Sequence, residues 1–163
     1  MPKPIPDVDL VLLDEESSTV VLAEVKWMRK TLRPKEFSWK DAEVLKGISQ
    51  LDQIRRYLLD HPDHFSKQKR LPRPMTAYEH VYYLLIPRDH WLWVEPTADG
   101  AIIEFDALMK RLSEPGSLHE AVADLLKYEW LPVLGRDFTV RYEESSANGV
   151  SIEAETFYVL HAK

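Results

Sequence analysis

Two apolar segments near the start of the chain are separated by the polar residues Asp-Glu-Glu-Ser-Ser-Thr. Almost every position of each segment is apolar, which indicates strands, and the polar residues between them are typical of a turn. We therefore predict a hairpin with strands at residues 9–13 and 20–26. Pairing the last apolar residue before the turn with the first one after it sets Leu13 opposite Val20.

A long amphipathic helix is predicted to follow, at residues 39–60. Ser38 is the expected N-cap, with Asp41 three positions later, and His61 and Pro62 end the helical pattern. The apolar residues expected to pack this helix on the sheet are Val44, Ile48, Leu51 and Leu58.

The rest of the chain alternates between strand and helix patterns. An apolar run at residues 81–86 predicts a central strand covered on both faces, with residues 91–94 as its hairpin partner. The elements predicted after it are helices at 105–112 and 118–128 and strands at 138–142 and 156–161. Ser117 is the expected N-cap of the second of these helices, with Glu120 three positions later. This mixture is typical of an α/β or α+β protein.

Length and composition limit the classes of protein that fit this pattern. The chain has 163 residues, of which 45% are apolar, and this is enough for a single domain spanning residues 1–163. It contains no cysteine, which excludes disulfides and zinc sites built on cysteine and fits a reducing compartment. The sequence lacks the continuous apolar stretch of a signal peptide or membrane span, so a cytoplasmic location is expected.

The net charge narrows the range of nucleic-acid-binding proteins that fit. The formal charge is −6, and binding by charge alone strengthens with the number of phosphates that a protein neutralises. This value argues against a protein that simply coats nucleic acid. It leaves open an enzyme acting on nucleic acid whose acidic residues hold a metal ion.

The open end of the predicted hairpin carries four charged residues. The register places Asp9 beside Glu24 and Asp7 beside Lys26, all on one face, because side chains alternate along a strand. Two opposed carboxylates repel unless a cation lies between them, which makes Asp9 and Glu24 a candidate Mg²⁺ site. Lys26 would then lie beside the metal ion and help to deprotonate a water. The alternative is an ordinary charged hairpin end, with Asp7 and Lys26 as a surface ion pair of small value.

Two short motifs resemble those of the PD-(D/E)XK nuclease superfamily. The first is Asp9, at the start of one strand within Val-Asp-Leu-Val, followed by Glu24-Val25-Lys26 near the end of the next strand. The second is Gln53-Ile-Arg-Arg-Tyr57 on the long helix, which is similar to the Gln-x-x-x-Tyr motif of the exonuclease-like branch. The resemblance implies an α/β fold with a mixed central sheet flanked by helices. It places a restriction-endonuclease-like core within residues 7–86 and leaves residues 87–163 as an unmatched extension.

The resemblance also implies that part of the superfamily core is missing from this chain. That core usually runs helix, strand, strand, strand, helix, strand, with the aspartate on the second strand and Glu-x-Lys on the third. Here only eight residues precede Asp9, so the first helix and first strand are not represented. An upstream domain, a second subunit or the chain's own C-terminal strands are expected to cover the hairpin edge. Weak cleavage or none is expected from the chain alone.

The resemblance implies a divalent-metal-dependent nuclease that hydrolyses phosphodiester bonds, with DNA as the expected substrate. The expected ligands of Mg²⁺ or Mn²⁺ are Asp9, Glu24 and the carbonyl of Val25, with Lys26 as a catalytic residue and Asp7 as an auxiliary acid. The residues expected to contact nucleic acid share one stripe of the long helix and are Lys46, Gln50, Gln53 and Tyr57. The alternative is a catalytically silent module of the same fold that binds nucleic acid or a protein partner.

Overall fold

A mixed four-stranded sheet forms the centre of the first part of the chain. Its strands are β1 (Leu10–Asp14), β2 (Thr19–Trp27), β3 (His80–Arg88) and β4 (Ala101–Ile102), in the spatial order β1-β2-β3-β4. β1 is antiparallel to β2, whereas β2, β3 and β4 are parallel to one another. With the helices that follow, this confirms an α/β fold with a mixed sheet.

The structure is a computed structural model that describes residues 7–28, 34–68, 70–88, 101–129, 131, 138–147 and 150–159. Side chains are described for these residues except 34–38 and 138–159. The chain divides into two compact units, Met1–Leu126 and Lys127–Lys163. The prediction of a single domain across residues 1–163 stays a prediction. None of the described helices is both long enough and apolar enough to cross a membrane.

The predicted hairpin and its register are confirmed. Leu13 pairs with Val20, and the ladder continues to Leu10 opposite Ala23. The ladder ends there because the chain bends at Asp9, so the next rung of the predicted pairing does not form as a backbone pair. The four residues of the turn are Glu15 to Ser18, and Ser18 adopts a left-handed φ of 50°.

The predicted central strand is confirmed as β3, which lies between two parallel neighbours. Its predicted hairpin partner, residues 91–94, lies outside the described residues. β2 and β3 pair over nine positions, from Thr19 opposite His80 to Trp27 opposite Arg88. Parallel strands need a crossover connection, which is supplied here by the long helix between them.

The long helix is α1, Pro34–Asp60, and it begins five residues earlier than predicted. Ser38 therefore lies inside the helix, and its prediction as N-cap is wrong. Proline is favoured at the first helical position, where its missing N–H costs no helical hydrogen bond. The predicted end at Asp60 is confirmed. Of the residues predicted to pack α1 on the sheet, Val44, Leu51 and Leu58 are buried, and Ile48 is half-buried against the core.

Shorter helices complete the first unit. α2 spans His64–Lys67, a 3₁₀ turn spans Met75–Ala77, α3 spans Phe105–Leu112 and α4 spans Leu118–Leu125. The predicted capping box of α4 is confirmed, since Ser117 and Glu120 exchange both hydrogen bonds, although the helix ends three residues before the predicted bound. α1 contacts the face of the sheet that carries Lys26, whereas α3 contacts Trp27, the next residue of β2. Consecutive side chains of a strand point to opposite faces, so the sheet has helices on both faces.

The segment between α1 and β3 forms ion pairs with residues on either side of the edge strand β1. Arg70 pairs with Asp7 at 3.3 Å, and Arg73 pairs with Glu15 at 3.4 Å. Between these ion pairs, Leu71 is buried in the core. This segment was not among the three predicted sources of cover for the hairpin.

The second unit contains β5 (Phe138–Ala147) and β6 (Val150–Val159). The two strands are antiparallel, with Phe138 opposite Val159. Both predicted strands are confirmed and are longer than expected, although positions 160 and 161 of the second one lie outside the described residues. Within the described chain they form their own two-stranded sheet and do not extend the four-stranded one.

Candidate active site

A largely buried ion pair lies near the carboxyl end of β2. Lys26 Nζ lies 2.7 Å from Glu24 Oε1. Glu24 is only 4% exposed, and the Lys26 side chain is 15% exposed. The two residues alternate with apolar ones, so they share the face of β2 that includes Leu22, where the core packs against α1. Local strand alternation therefore brings both charges under the long helix.

Helix α1 supplies a third member of this cluster. Lys26 Nζ donates a hydrogen bond of 2.9 Å to Gln50 Oε1. The ammonium group is thus held between a carboxylate on its own strand and an amide on the helix above. Hydrogen bonds to charged groups are among the stronger ones in proteins, so this contact fixes the direction of the Lys26 side chain.

Gly47 allows the helix to approach this closely. A Cβ atom at this position would lie 2.5 Å from Leu85 Cδ1 and 3.1 Å from Lys26 Cε. Glycine in the middle of a helix costs about 1 kcal/mol relative to alanine, so its presence here has a packing reason. Gly47 was not among the predicted site residues. The signal that could have identified it is a glycine in the middle of a helical pattern, where glycine is unfavourable unless packing requires it.

Asp9 lies beside the same end of β2, where it contacts the strand backbone. Its Oδ2 atom accepts a hydrogen bond of 2.9 Å from the backbone N–H of Val25, although its side chain is exposed. The carboxylate therefore extends the hairpin contact beyond the last rung of the ladder. Because Val25 lies between Glu24 and Lys26, the structure brings the three predicted catalytic residues to the same strand end.

The predicted pairing of Asp7 with Lys26 is wrong. Asp7 Oδ1 binds Arg70 and also accepts a hydrogen bond of 3.0 Å from Val8 N, whereas Lys26 binds Glu24 and Gln50. The Asp7 side chain is 84% exposed. The residues that line an open surface depression of about 510 Å³ are Asp7, Val8, Asp9, Val11 and Arg70. The bend at Asp9 accounts for the difference, since it takes Asp7 out of the register of the hairpin.

The other predicted helix residues do not reach the ion pair. Lys46 is exposed and lies 3.9 Å from Glu43, and Gln53 is exposed. Tyr57 contacts the residues after the helix, and its hydroxyl lies 3.2 Å from His64 Nδ1. Of the four residues expected to contact nucleic acid, Gln50 is therefore the one whose described contacts include Lys26.

Tyr57 and its neighbours form a separate aromatic cluster. The Tyr57 ring lies 4.5 Å from the His61 ring and 5.1 Å from the His64 ring, measured between centroids. Burial lowers the pKa of His64 below its usual value of 6.5, and the nearby His61 and Arg70 lower it further. His64 is thus neutral near pH 7, which suits a hydrogen bond with the Tyr57 hydroxyl.

The donor set for a metal ion consists of oxygen atoms. The predicted ligands are the carboxylates of Asp9 and Glu24 and the backbone carbonyl of Val25. Within the described residues, no group of three or more histidine, aspartate or glutamate side chains is placed to hold a metal ion. Mg²⁺ typically uses one or two carboxylates and completes its shell with waters and substrate phosphate. The residues present therefore fit Mg²⁺ or Mn²⁺ better than a metal that requires an all-protein cage.

Comparison of the chain with protein-family models, with curated proteins and with solved structures gives no match in any of the three. A function for the chain therefore has to be inferred from the residues and contacts of this site.

Proposed function

We propose that the chain is a divalent-metal-dependent nuclease that hydrolyses phosphodiester bonds, with DNA as its substrate. The observation that carries the proposal is the largely buried Glu24–Lys26 pair, which is extended to Gln50. A buried ion pair is a poor means of stabilising a fold, because apolar residues of similar volume often stabilise it as well or better. Ionisable groups that are buried together are instead common in active sites.

The order of the elements supports the same proposal. In the superfamily that the motifs resemble, the aspartate strand is followed by the Glu-x-Lys strand, a helix and another strand. From residue 10 to residue 88 this chain runs β1, β2, α1 and β3, with the short helix α2 and a 3₁₀ turn in the connection between α1 and β3. Asp9 lies just before β1, and Glu24 and Lys26 lie on β2. A restriction-endonuclease-like core is therefore part of the proposal.

Each residue of the site has a separate role in this proposal. Asp9, Glu24 and the carbonyl of Val25 would hold the metal ion, which supplies Lewis-acid polarisation of the phosphate and a more acidic water. The contact to Lys26 uses Oε1 of Glu24, and an ionised carboxylate has further lone pairs to offer a metal ion. Lys26 offsets negative charge that develops on the phosphate, and Gln50 orients its ammonium group.

The test is a cleavage assay on plasmid, linear and single-stranded DNA with Mg²⁺ or Mn²⁺, compared with EDTA. Cleavage that needs the metal and disappears in Glu24→Gln and Asp9→Asn supports the proposal. Glu16→Gln is the matched control, because Glu16 is an exposed turn residue and its loss should leave cleavage unchanged. Cleavage that survives in Glu24→Gln would remove this site as its source.

A second candidate is a catalytically silent module of the same fold that binds nucleic acid or a protein partner. It is favoured by the fact that both acids already have partners, since Glu24 binds Lys26 and Asp9 accepts from Val25. Measuring DNA binding beside cleavage on the same substrates separates the two candidates. DNA binding without cleavage, equal in wild type and in Glu24→Gln, identifies the silent module.

A further inference from the structure

An exposed tryptophan lies directly beside the candidate active site, on the opposite face of the sheet. Trp27 follows Lys26 at the end of β2, and consecutive side chains of a strand point to opposite faces. Trp27 is 66% exposed. A large aromatic side chain gains much free energy when it is buried, so the exposed indole offers a ligand a favourable contact surface at the end of a central strand.

The ring of Trp27 is held in place by two neighbours. Arg88 lies opposite Trp27 in the β2–β3 register, and its guanidinium carbon is 4.1 Å from the Trp27 ring centre. Phe105, at the start of α3, meets the indole edge-on with 6.1 Å between ring centroids. Arg88 is also 5.7 Å from the Phe105 ring. The three side chains are thus mutual neighbours, which orders the indole while much of its surface remains open.

The charge at this position suits an anionic ligand with flat rings. Arg88 contributes a permanent cation, and the ion pairs of the described residues include none between Arg88 and a carboxylate. A guanidinium group stacks on aromatic rings and binds phosphate through its N–H groups. Nucleic-acid bases stack on aromatic side chains with little dependence on sequence. A base on Trp27 with its phosphate on Arg88 would use both properties.

The position also fits the geometry of the fold. In open α/β sheets, ligands bind in the crevice outside the carboxyl ends of parallel strands. Trp27 and Arg88 are the last residues of two adjacent parallel strands, and Lys26 is one residue before Trp27. A nucleotide strand that crosses this sheet end therefore meets the stacking surface and the ion pair at neighbouring positions.

We propose that Trp27 is a stacking platform for an unpaired base of single-stranded nucleic acid, with Arg88 binding an adjacent phosphate. The inference deepens the proposed nuclease function, on which its biological sense rests, by naming unpaired nucleotides as the substrate class. A base within a duplex has its faces covered by its neighbours, so it cannot stack on the indole in the same way.

The experiment measures binding of a fluorescent oligothymidylate to the full chain by anisotropy, in EDTA and at low salt so that no cleavage occurs. An abasic oligomer of equal length carries the same phosphates without bases. Wild type should bind the base-bearing strand about tenfold more tightly than the abasic one, on the scale of one stacked base. Trp27→Ala should remove this difference, and Trp27→Phe should keep part of it. Trp39→Ala is the matched control, since Trp39 is similarly exposed, at 60%, but lies on α1.

Arg88→Gln provides a second variant that keeps the indole. It should retain the preference for bases and reduce the salt dependence of binding by about one phosphate contact. Three results would overturn the proposal: equal binding of both oligomers by wild type, unchanged binding in Trp27→Ala, or no binding of either oligomer. The absence of binding is the result expected if this surface binds a protein partner instead. This experiment does not measure cleavage, so its result is independent of the nuclease proposal. A protein without nuclease activity can still bind through Trp27, and an active nuclease can fail to do so.

Discussion

At the residue scale, the contribution of the Glu24–Lys26 pair to folding stability can be measured separately from its role in cleavage. Replacing either residue alone leaves the other charge buried without its partner, so Glu24→Gln and Lys26→Met should each lower the free energy of unfolding by about 3 kcal/mol. The double variant should lose clearly less than the sum of the two. Urea unfolding of the four proteins measures this coupling. Additive losses would mean that the contact at 2.7 Å contributes little to stability.

Lys26 and its hydrogen-bond partner Gln50 are expected to affect cleavage to different extents. Lys26→Ala should lower the rate about 100-fold with little change in DNA affinity, because the ammonium group acts on the reaction and not on binding. Gln50→Ala should lower it about tenfold, since Lys26 then loses the hydrogen bond that orients it. Single-turnover rates and binding constants measure both effects.

Gln53→Ala is the control for this comparison, because Gln53 is exposed on the same helix. Its cleavage rate should match that of wild type if the contact to Lys26 is what matters. A larger loss in Gln53→Ala than in Gln50→Ala would mean that the motif resemblance, and not the observed contact, identifies the important glutamine.

Strand alternation was sufficient to predict which charged residues share a face. Glu24 and Lys26 are two positions apart on a strand, and their common face follows from the period of two. The partner of Asp7 did not follow in this way. Arg70 is 63 positions further along the chain, and no local pattern relates the two residues. Contacts within an element were therefore predictable, whereas contacts between distant segments were not.

At the element scale, Gly47 sets the distance between α1 and the sheet. Gly47→Ala would gain about 1 kcal/mol of helix propensity, but the added methyl group would lie 2.5 Å from the buried Leu85 Cδ1. Overpacking of this kind costs about 1 to 3 kcal/mol. We expect a net loss of about 1 kcal/mol in the free energy of unfolding, together with weaker cleavage because Lys26 is displaced.

Leu85→Val tests this explanation, since it removes the methyl group that the new Cβ atom would meet. Gly47→Ala should cost less in that background than in wild type. Ser49→Ala on the exposed side of α1 should be neutral or slightly stabilising. A Gly47→Ala protein that is more stable than wild type would show that the helix moves away from the sheet without cost.

Local signals predicted the ends of elements unevenly. The start of α4 followed from Ser117 and Glu120, whose capping box satisfies the first backbone N–H groups. The same kind of signal failed at Ser38, because α1 continues back to Pro34. The polar border of α1 was also predictable, but the residue that meets Lys26 depends on rotation of the helix about its axis. Close packing at Gly47 fixes that rotation, which cannot be predicted from sequence periodicity alone.

At the scale of the whole molecule, the α/β class was predictable and the pairing of the C-terminal strands was not. The strand patterns near residues 138 and 156 were visible, but periodicity does not say which strands pair with which. The structure pairs β5 with β6 and assigns them to the unit Lys127–Lys163. All the residues of the proposed site lie in the other unit, Met1–Leu126, whose described core runs from Val8 to Leu125.

This division predicts that a chain ending at Leu126 folds and acts without the second unit. The described core residues and all the site residues lie within this unit, so we expect a single cooperative unfolding transition with nearly the midpoint of the full chain. Any metal-dependent cleavage by the full chain should persist in the shortened one and disappear when Glu24→Gln is added. Circular dichroism during urea titration and the same DNA assays measure these outcomes. A cooperative fold that has lost only cleavage would assign substrate contacts to residues beyond Leu126. Loss of the transition itself would mean that the two units fold as a single domain, as the length of the chain first indicated.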